Sequence, residues 1–255
     1  MISKYKNLHV AIDDQGVALL TLDRPEVLNA MSRGLIDDLM TALDDIDKNT
    51  TAYVLLITGA GSRAFSVGGD ISEMGASTPL EEELFTTRVI QCCWALANYR
   101  LPTIGAINGF AYGGGALLAS TLDIRIGCER TKFKFLGVQY GRVNGTWTLP
   151  MIVGWAHAKE LLFSARVVAA DEATRINLLN RQVPAQNLME TAMSLARQIA
   201  SNPPNMVQGV KQIMNNGVGE SWGSMLGMER EAVRTRLQPG PAQDSFAQFL
   251  KRRGS

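Results

Sequence analysis

The pattern of hydrophobic and polar positions changes along the chain, from alternating strands and helices to helices alone. Short continuous apolar runs, AYVLLIT (52–58) and TIGAIN (103–108), predict strands that are buried on both faces of a sheet. After Ser32, apolar residues recur at helical spacing with aspartates on the opposite face, which predicts an amphipathic helix with Ser32 as its N-cap. The first 170 residues therefore alternate between the two kinds of element.

Further segments follow the same pattern. LHVAIDDQGVALLTLDRP predicts two strands around a turn, DIRIGCE predicts another strand, and helices are predicted over 79–100, ALLAS and AHAKELLFSA. From Asp171 onward only helical patterns recur, at 171–179, 186–201, 205–216, 221–237 and 242–252. We therefore expect an α/β core over residues 1–195 and a C-terminal helical lobe over residues 196–255.

Composition narrows the possible partners. The 25 Lys and Arg residues nearly balance the 24 Asp and Glu residues, and the net charge of +1 gives no reason to expect nucleic acid or an anionic membrane surface. Every apolar run is interrupted before membrane-spanning length, and the start MISKYKNLHV is too polar for a signal peptide. We expect a cytoplasmic protein without nucleic-acid or membrane partners.

The cysteines and histidines do not indicate a disulfide, a metal site or a catalytic triad. The cysteines Cys92, Cys93 and Cys128 are odd in number and two are adjacent, so we expect small core residues in a reducing compartment rather than disulfides. The only histidines, His9 and His157, are far apart in sequence, and no Cys/His spacing fits a metal. No metal site is expected, and a Ser-His-Asp triad is not supported.

Three consecutive glycines, Gly113 to Gly115, lie between the predicted strand TIGAIN and the predicted helix ALLAS. Exposed backbone N–H groups at such a position suit an anionic oxygen, either of a phosphate or of an enolate-like intermediate. The spacing matches neither the dinucleotide-binding fingerprint nor a Walker loop. Taken alone, the triplet is equally compatible with close packing of a helix on a strand.

A second glycine segment, AFSVGGDISEM (64–74), follows the strand AYVLLIT and also presents backbone N–H groups. Loops at the ends of two buried strands could aim two donors at one oxygen, which is the geometry of an oxyanion hole.

Four ordered segments, LDRPEVLNAM, LLITGAGSRAFSVGGDISEM, PTIGAINGFAYGGG and DIRIG, resemble the crotonase superfamily, also called the enoyl-CoA hydratase/isomerase family. The tail DSFAQFLKRRG resembles its C-terminal helix, so the resemblance spans nearly the whole chain. It implies an α/β fold with a crotonase-like ββα spiral core and a C-terminal helical trimerisation lobe, assembled as a homotrimer or a dimer of trimers. It also implies an acyl-CoA thioester as substrate, with coenzyme A as part of that substrate and no covalently bound cofactor.

The resemblance also assigns site residues by position. The N–H groups of Val67 and Gly114 would grip the thioester carbonyl oxygen. Phe249 and Arg252 in the last helix occupy positions from which side chains reach the CoA of a neighbouring subunit. The CoA pocket and the acyl-binding wall would be lined by Val27, Leu28, Ala30, Ala64, Ser66, Gly68, Asp70, Ile71, Gly113, Leu117 and Gly137.

The chain departs from the family where acid–base chemistry is expected. Leu117 and Gly137 occupy the positions of the two glutamates of the hydratases, and the second of these positions commonly serves the isomerases. Gly69 stands where some decarboxylases of the family carry a histidine. A positioned acid or base contributes about 10²–10⁴-fold to such reactions, and none of these three residues can act as one. The two-glutamate hydratase mechanism is therefore not expected.

Tyr140 and Asn144 are the best substitutes, because they lie just beyond the missing second glutamate. The other candidates are Arg142, Thr146, Trp147, Glu82 and Glu83. Three functions stay open: an enzyme that acts through a thioester enolate and moves protons by a non-standard residue or water, a non-catalytic acyl-CoA-binding protein, and a structural or regulatory subunit. The intact glycine segments favour the enzyme.

Overall fold

The computed structural model describes residues 4–49 and 51–241, and its strands form two sheets. In chain order the strands are β1 (Leu8–Ile12), β2 (Val17–Leu22), β3 (Val54–Gly59), β4 (Ala64–Ser66), β5 (Thr103–Ile107), β6 (Phe110–Tyr112), β7 (Ile124–Cys128), β8 (Lys132–Lys134), β9 (Val168–Ala169) and β10 (Arg181–Val183). One sheet has the order β1-β2-β3-β5-β7-β10 and is parallel except for β1. The other has the order β4-β6-β8-β9 and is parallel except for β9.

Several of the helices begin after a residue whose side chain caps the first turn. They are α1 (Arg33–Lys48), α2 (Ile71–Gly75), α3 (Pro79–Ala97), α4 (Gly114–Ser120), α5 (Leu149–Ser164), α6 (Ala170–Arg175), α7 (Leu188–Ala200), α8 (Pro204–Asn216) and α9 (Trp222–Thr235). The Ser32 hydroxyl accepts a hydrogen bond from the Leu35 amide at 3.1 Å, which confirms the predicted N-cap. Thr78 and Glu81 form a capping box at the start of α3.

Strand β3 is buried along its whole length, as its continuous apolar run predicts. Its residues alternate between two apolar clusters. Leu55 and Ile57 belong to the larger cluster, whereas Val54 and Leu56 pack in the cluster that includes residues of α7. The six-stranded sheet is therefore covered on both faces, and β3 and its neighbour β5 form a rigid base for the loops that follow them.

Contacts within the chain define two compact units, which divide after Ser201. Residues 196–200, placed in the lobe on sequence grounds, form the end of α7 in the first unit. In the second unit α8 carries Gly209, where a side chain would meet Leu237 Cδ1 at 2.3 Å, so the glycine allows Leu237 to pack against that helix. The helix predicted at 242–252 lies outside the described residues.

The structure corrects three details of the predicted elements. Residues after 170 are not all helical, because Arg181–Val183 form β10, which pairs with β7. Helix α6 ends at Arg175 instead of residue 179, since Asn177 adopts a left-handed φ of 65°. Helix α5 begins at Leu149 but is interrupted by a kink at Gly154 (φ 76°, ψ 164°), so AHAKELLFSA corresponds to its second part and only the turns before the kink were not predicted. In the described part of the chain, no helix is both long and apolar enough to span a bilayer.

Candidate functional site

The two glycine loops meet at one edge of the smaller sheet. Strands β4 and β6 are parallel neighbours, so the loops that follow them leave the sheet on the same side. Gly68 has a φ of +88°, and a Cβ atom there would lie 2.7 Å from the Gly114 nitrogen. A Cβ at Gly115 would lie 2.1 Å from the Ser66 carbonyl oxygen. Glycine is therefore required at both positions for the loops to approach this closely.

The two amides assigned to the oxyanion hole differ in their present partners. Gly114 is the first residue of α4, and no hydrogen bond from its N–H group is found to any of the described residues. The Val67 N–H group instead donates to the Leu28 carbonyl at 3.2 Å, at the long end of the hydrogen-bond range. Only one of the two predicted donors is thus open, because Leu28 lies in a left-handed conformation (φ 58°) in a segment that folds back onto β4.

A buried amide side chain holds that segment in place. Asn29 is fully buried; its Oδ1 accepts from the Arg24 amide at 3.0 Å, and its Nδ2 donates to the carbonyls of Ala60 and Ala64 at 3.1 and 2.9 Å. The Ser66 hydroxyl donates to the Asn29 carbonyl at 2.8 Å. The predicted pocket residues 27–30 and 64–66 therefore lie together. The Ser66 hydroxyl is already engaged in a hydrogen bond within the protein. The clamp formed by the Asn29 side chain was not predicted from the sequence.

Asp70 also has a structural role. Its carboxylate accepts from the amides of Ser72 and Glu73 at 3.1 and 3.4 Å as the N-cap of α2, and it pairs with the Arg24 guanidinium at 2.9 Å. Both partners of the ion pair are mostly buried. A ligand would therefore meet other predicted pocket residues first, chiefly the exposed apolar side chains of Val27 and Ile71. Ala30 and Ala64 are buried, and Leu28 is half-buried.

The positions of the two missing glutamates are lined by apolar side chains and one amide. A Cβ at Gly145 would lie 3.3 Å from Leu117 Cδ2, so the loop after β8 packs directly on Leu117. A Cβ at Gly137 would lie 2.7 Å from Asn144 Oδ1, and a Cβ at Gly113 would lie 3.5 Å from Leu136 Cδ1. None of these side chains titrates, so this wall of the site cannot exchange protons with a substrate.

Gly69, expected at the position of the decarboxylase histidine, has apolar neighbours. A Cβ at Gly69 would lie 2.7 Å from Met74 Sδ and 3.8 Å from Phe85 Cε1. These two residues, from α2 and α3, place a thioether and an aromatic ring beside the glycine loop. Neither residue could be placed near Gly69 from the sequence, because only the fold brings them there.

The remaining substitutes for the acid and base are mostly exposed or engaged elsewhere. Tyr140 is 68% exposed. Arg142 forms an ion pair with Glu82 across to α3, and Trp147 packs on Trp94 with ring centroids 5.7 Å apart. Thr146 and Glu83 are exposed, and Phe249 and Arg252 lie outside the described residues.

The thiols and the other potential metal ligands form no centre of their own. Cys92, Cys93 and Cys128 are free and buried, as predicted for core residues. Burial raises the pKa of Cys93 to about 12. Within residues 4–49 and 51–241, no group of three or more His, Cys, Asp or Glu side chains could hold a metal ion.

Comparison with known proteins identifies the class to which this fold and site belong. The family described as Enoyl-CoA hydratase/isomerase matches residues 13–254. A short-chain-enoyl-CoA hydratase of Clostridium acetobutylicum is 34% identical over 250 residues, 96% of this chain and 95% of that protein. A 1,2-epoxyphenylacetyl-CoA isomerase of Escherichia coli is 30% identical over 250 residues, 94% of each chain. The crystal structure of an enoyl-CoA hydratase from Bacillus anthracis matches with a TM-score of 0.92 at 28% identity, over 97% of both chains.

The chain therefore belongs to the enoyl-CoA hydratase/isomerase family. The predicted fold class, a crotonase-like α/β spiral core followed by a helical C-terminal part, is confirmed by the family match and the structural match.

Proposed function

We propose that the chain binds an acyl-CoA thioester with its carbonyl oxygen at the Gly114 amide and acts on it as an enzyme, through a thioester enolate. The observation that carries this proposal is the Gly114 N–H group, which finds no acceptor among the described residues and lies against Gly68 of the second loop. Each preorganised donor to a developing oxyanion lowers the barrier by roughly 2.7–4 kcal/mol. An enolate oxygen is the kind of acceptor that such a donor stabilises.

The Val67 amide is the second donor of the proposed hole. Its bond to the Leu28 carbonyl is long, at 3.2 Å, and an approaching thioester oxygen would share or replace it. The charge on an enolate oxygen makes it a stronger acceptor than a neutral backbone carbonyl, which favours the exchange.

The coenzyme A moiety enters as part of the substrate and is proposed to lie along residues 27–30 and 64–71. Val27 and Ile71 are 40% and 80% exposed and supply apolar contact surface there. The contribution of Phe249 and Arg252 from a neighbouring subunit of a trimer or hexamer stays a prediction.

Proton transfer separates this chain from the two-glutamate hydratases. Leu117 and Gly137 cannot exchange protons, and Glu82 is paired with Arg142. We therefore propose that protons move to and from the enolate by way of water or by a non-standard group such as Tyr140.

The same apolar wall favours a second candidate, a non-catalytic acyl-CoA-binding protein. Deuterium exchange distinguishes the two. Butyryl-CoA is incubated with the protein in D₂O, and the mass of the recovered thioester is measured. An enzyme that forms the enolate incorporates deuterium at the carbon next to the carbonyl, whereas a passive binding protein retains the ligand unchanged. With crotonyl-CoA, loss of the enoyl absorbance at about 1–10³ s⁻¹, the range typical of enzymes, would contradict the proposed absence of glutamate-type hydration.

A matched pair of variants tests the Gly114 donor. Gly114→Pro removes the N–H group, while Gly114→Ala keeps it, and both add a Cβ at 3.0 Å from the flexible Met31 Sδ. Proline is well tolerated at the first position of a helix, so the fold should survive. We expect Gly114→Pro to abolish thioester binding or exchange and Gly114→Ala to retain both. Equal behaviour of the two variants would remove Gly114 from the site.

A further inference from the structure

The loop after β8 places one amide side chain where position 137 would project its own. A Cβ atom at Gly137 would lie 2.7 Å from Asn144 Oδ1, 3.1 Å from Asn144 Cγ and 2.9 Å from the Arg142 carbonyl oxygen. The loop turns back on itself here, and the Arg142 amide donates to the Gly137 carbonyl at 2.9 Å. The Asn144 side chain therefore occupies the volume that a longer residue at 137 would need.

The residue that follows this amide packs among apolar side chains. The next residue, Gly145, is buried, and a Cβ there would lie 3.2 Å from Leu162 Cδ2, 3.3 Å from Leu117 Cδ2 and 3.7 Å from Phe135 Cδ1. Leu117 lies one turn into α4, with its amide donating to the Gly113 carbonyl at 3.0 Å. Gly145, the chain neighbour of Asn144, thus lies against Leu117 of the helix that begins at Gly114.

The Asn144 carboxamide is half-buried, and no hydrogen bond from it is found within the described ranges, residues 4–49 and 51–241. The buried Asn29 and Asn108 side chains, in contrast, each make several hydrogen bonds to the backbone. A carboxamide offers two donors and a carbonyl acceptor, and these groups are open here to a ligand oxygen that reaches the loop. It does not titrate at neutral pH, so it is suited to binding and not to moving a proton.

We infer that Asn144 is a specificity-determining residue, which hydrogen-bonds an oxygen substituent on the acyl chain of the thioester. This inference rests on the proposed function. It narrows the ligand to acyl-CoA thioesters with a hydroxyl or keto oxygen near the thioester group, in preference to plain hydrocarbon chains. Asn144 supplies the polar contact in a wall otherwise built from Leu117, Leu136 and Phe135.

Binding measurements with two ligands that differ by one hydroxyl group test the inference. The dissociation constants of butyryl-CoA and of (R)- and (S)-3-hydroxybutyryl-CoA are measured by calorimetry for the wild type, Asn144→Ala and Val143→Ala. Val143 is 86% exposed on the same loop and serves as the matched control. We expect the wild type and Val143→Ala to prefer one hydroxylated enantiomer about five- to tenfold, the value of one net hydrogen bond. Asn144→Ala should lose this preference while binding butyryl-CoA as the wild type does, which also shows that the site is still folded.

Results of two distinguishable kinds would overturn the inference. A wild type without preference for either hydroxylated ligand, or an undiminished preference in Asn144→Ala, would remove the role of Asn144 and leave the proposed function standing. Failure of the wild type to bind any of these thioesters would overturn the proposed function together with the inference.

Discussion

Replacing Asn29 by aspartate should destabilise the protein far more than an isosteric change usually does. The substitution keeps Oδ1, which accepts the Arg24 amide, but exchanges the donor Nδ2 for an oxygen. That oxygen would face the carbonyl oxygens of Ala60 and Ala64, which lie 3.1 and 2.9 Å from Nδ2. The buried Ala64 carbonyl and the half-buried Ala60 carbonyl would lose their donor and meet a third acceptor in its place.

The expected magnitude follows from the burial of Asn29, which is 0% exposed. Leaving a buried polar group without its partner costs about 1–3 kcal/mol, which applies in full to the buried Ala64 carbonyl; the half-buried Ala60 carbonyl adds a smaller cost. Domains are stable by only about 5–15 kcal/mol, so this loss is a large fraction of the total. For a protein of this size each kcal/mol lowers the melting temperature by about 2–4 °C.

Urea unfolding, followed by circular dichroism, measures the loss as a lower midpoint, and two further variants isolate its causes. Asn29→Gly and Asn29→Ala both lose every side-chain hydrogen bond, but only alanine is strained at the φ of 55° found here. The alanine variant should therefore be less stable than the glycine variant by about 1–2 kcal/mol. An Asn29→Asp protein within about 1 kcal/mol of the wild type would refute the reasoning, because Nδ2 would then not join the two carbonyls.

Two other predictions concern thiols and pH. The 3 cysteines are buried, and burial raises the pKa of Cys93 to about 12. We therefore expect no labelling by a thiol reagent in the native protein and complete labelling in urea. Rapid native labelling would contradict this. Hydrogen bonds from Arg166 hold the pKa of Glu172 below its usual value, so their stabilisation is fully present above the unfolded pKa and is lost as the pH falls through the lowered folded pKa. Glu172→Gln should melt below the wild type at neutral pH, and the difference should close in acid; a difference that does not vary with pH would argue against the ion pair.

Local pattern was sufficient for much of the fold. The runs at β3 and β5 are continuous and apolar because both faces of these strands are covered, and Ser32 caps α1 through a contact three residues away. Strand β10 was missed because three residues show no periodicity, and its pairing with β7 joins segments far apart in sequence. The element that the sequence did not predict forms by pairing with a strand that only the folded chain brings beside it.

The same division applies to the site. The meeting of the glycine loops could be anticipated, because both follow buried strands. The engagement of the Val67 amide could not, since it depends on Leu28 and Asn29 adopting left-handed conformations in a segment without glycine. The approach of Met74 to Gly69 likewise follows from the placement of α2.

The glycine at 137 and the position of the Asn144 side chain depend on each other. A Cβ at 137 would lie 2.7 Å from Asn144 Oδ1 and 2.9 Å from the Arg142 carbonyl oxygen, so a side chain there requires Asn144 to turn away and the backbone at Arg142 to shift. A glutamate at 137 would displace Asn144, and Asn144 in its present place requires glycine at 137. With a neutral amide where we expect the carboxylate of the family, this wall offers hydrogen bonding without proton transfer, and the Gly114 amide makes no hydrogen bond to the described residues. Under the proposed function, this site holds and polarises a thioester, and we expect it to select the acyl group by contact instead of by acid–base chemistry.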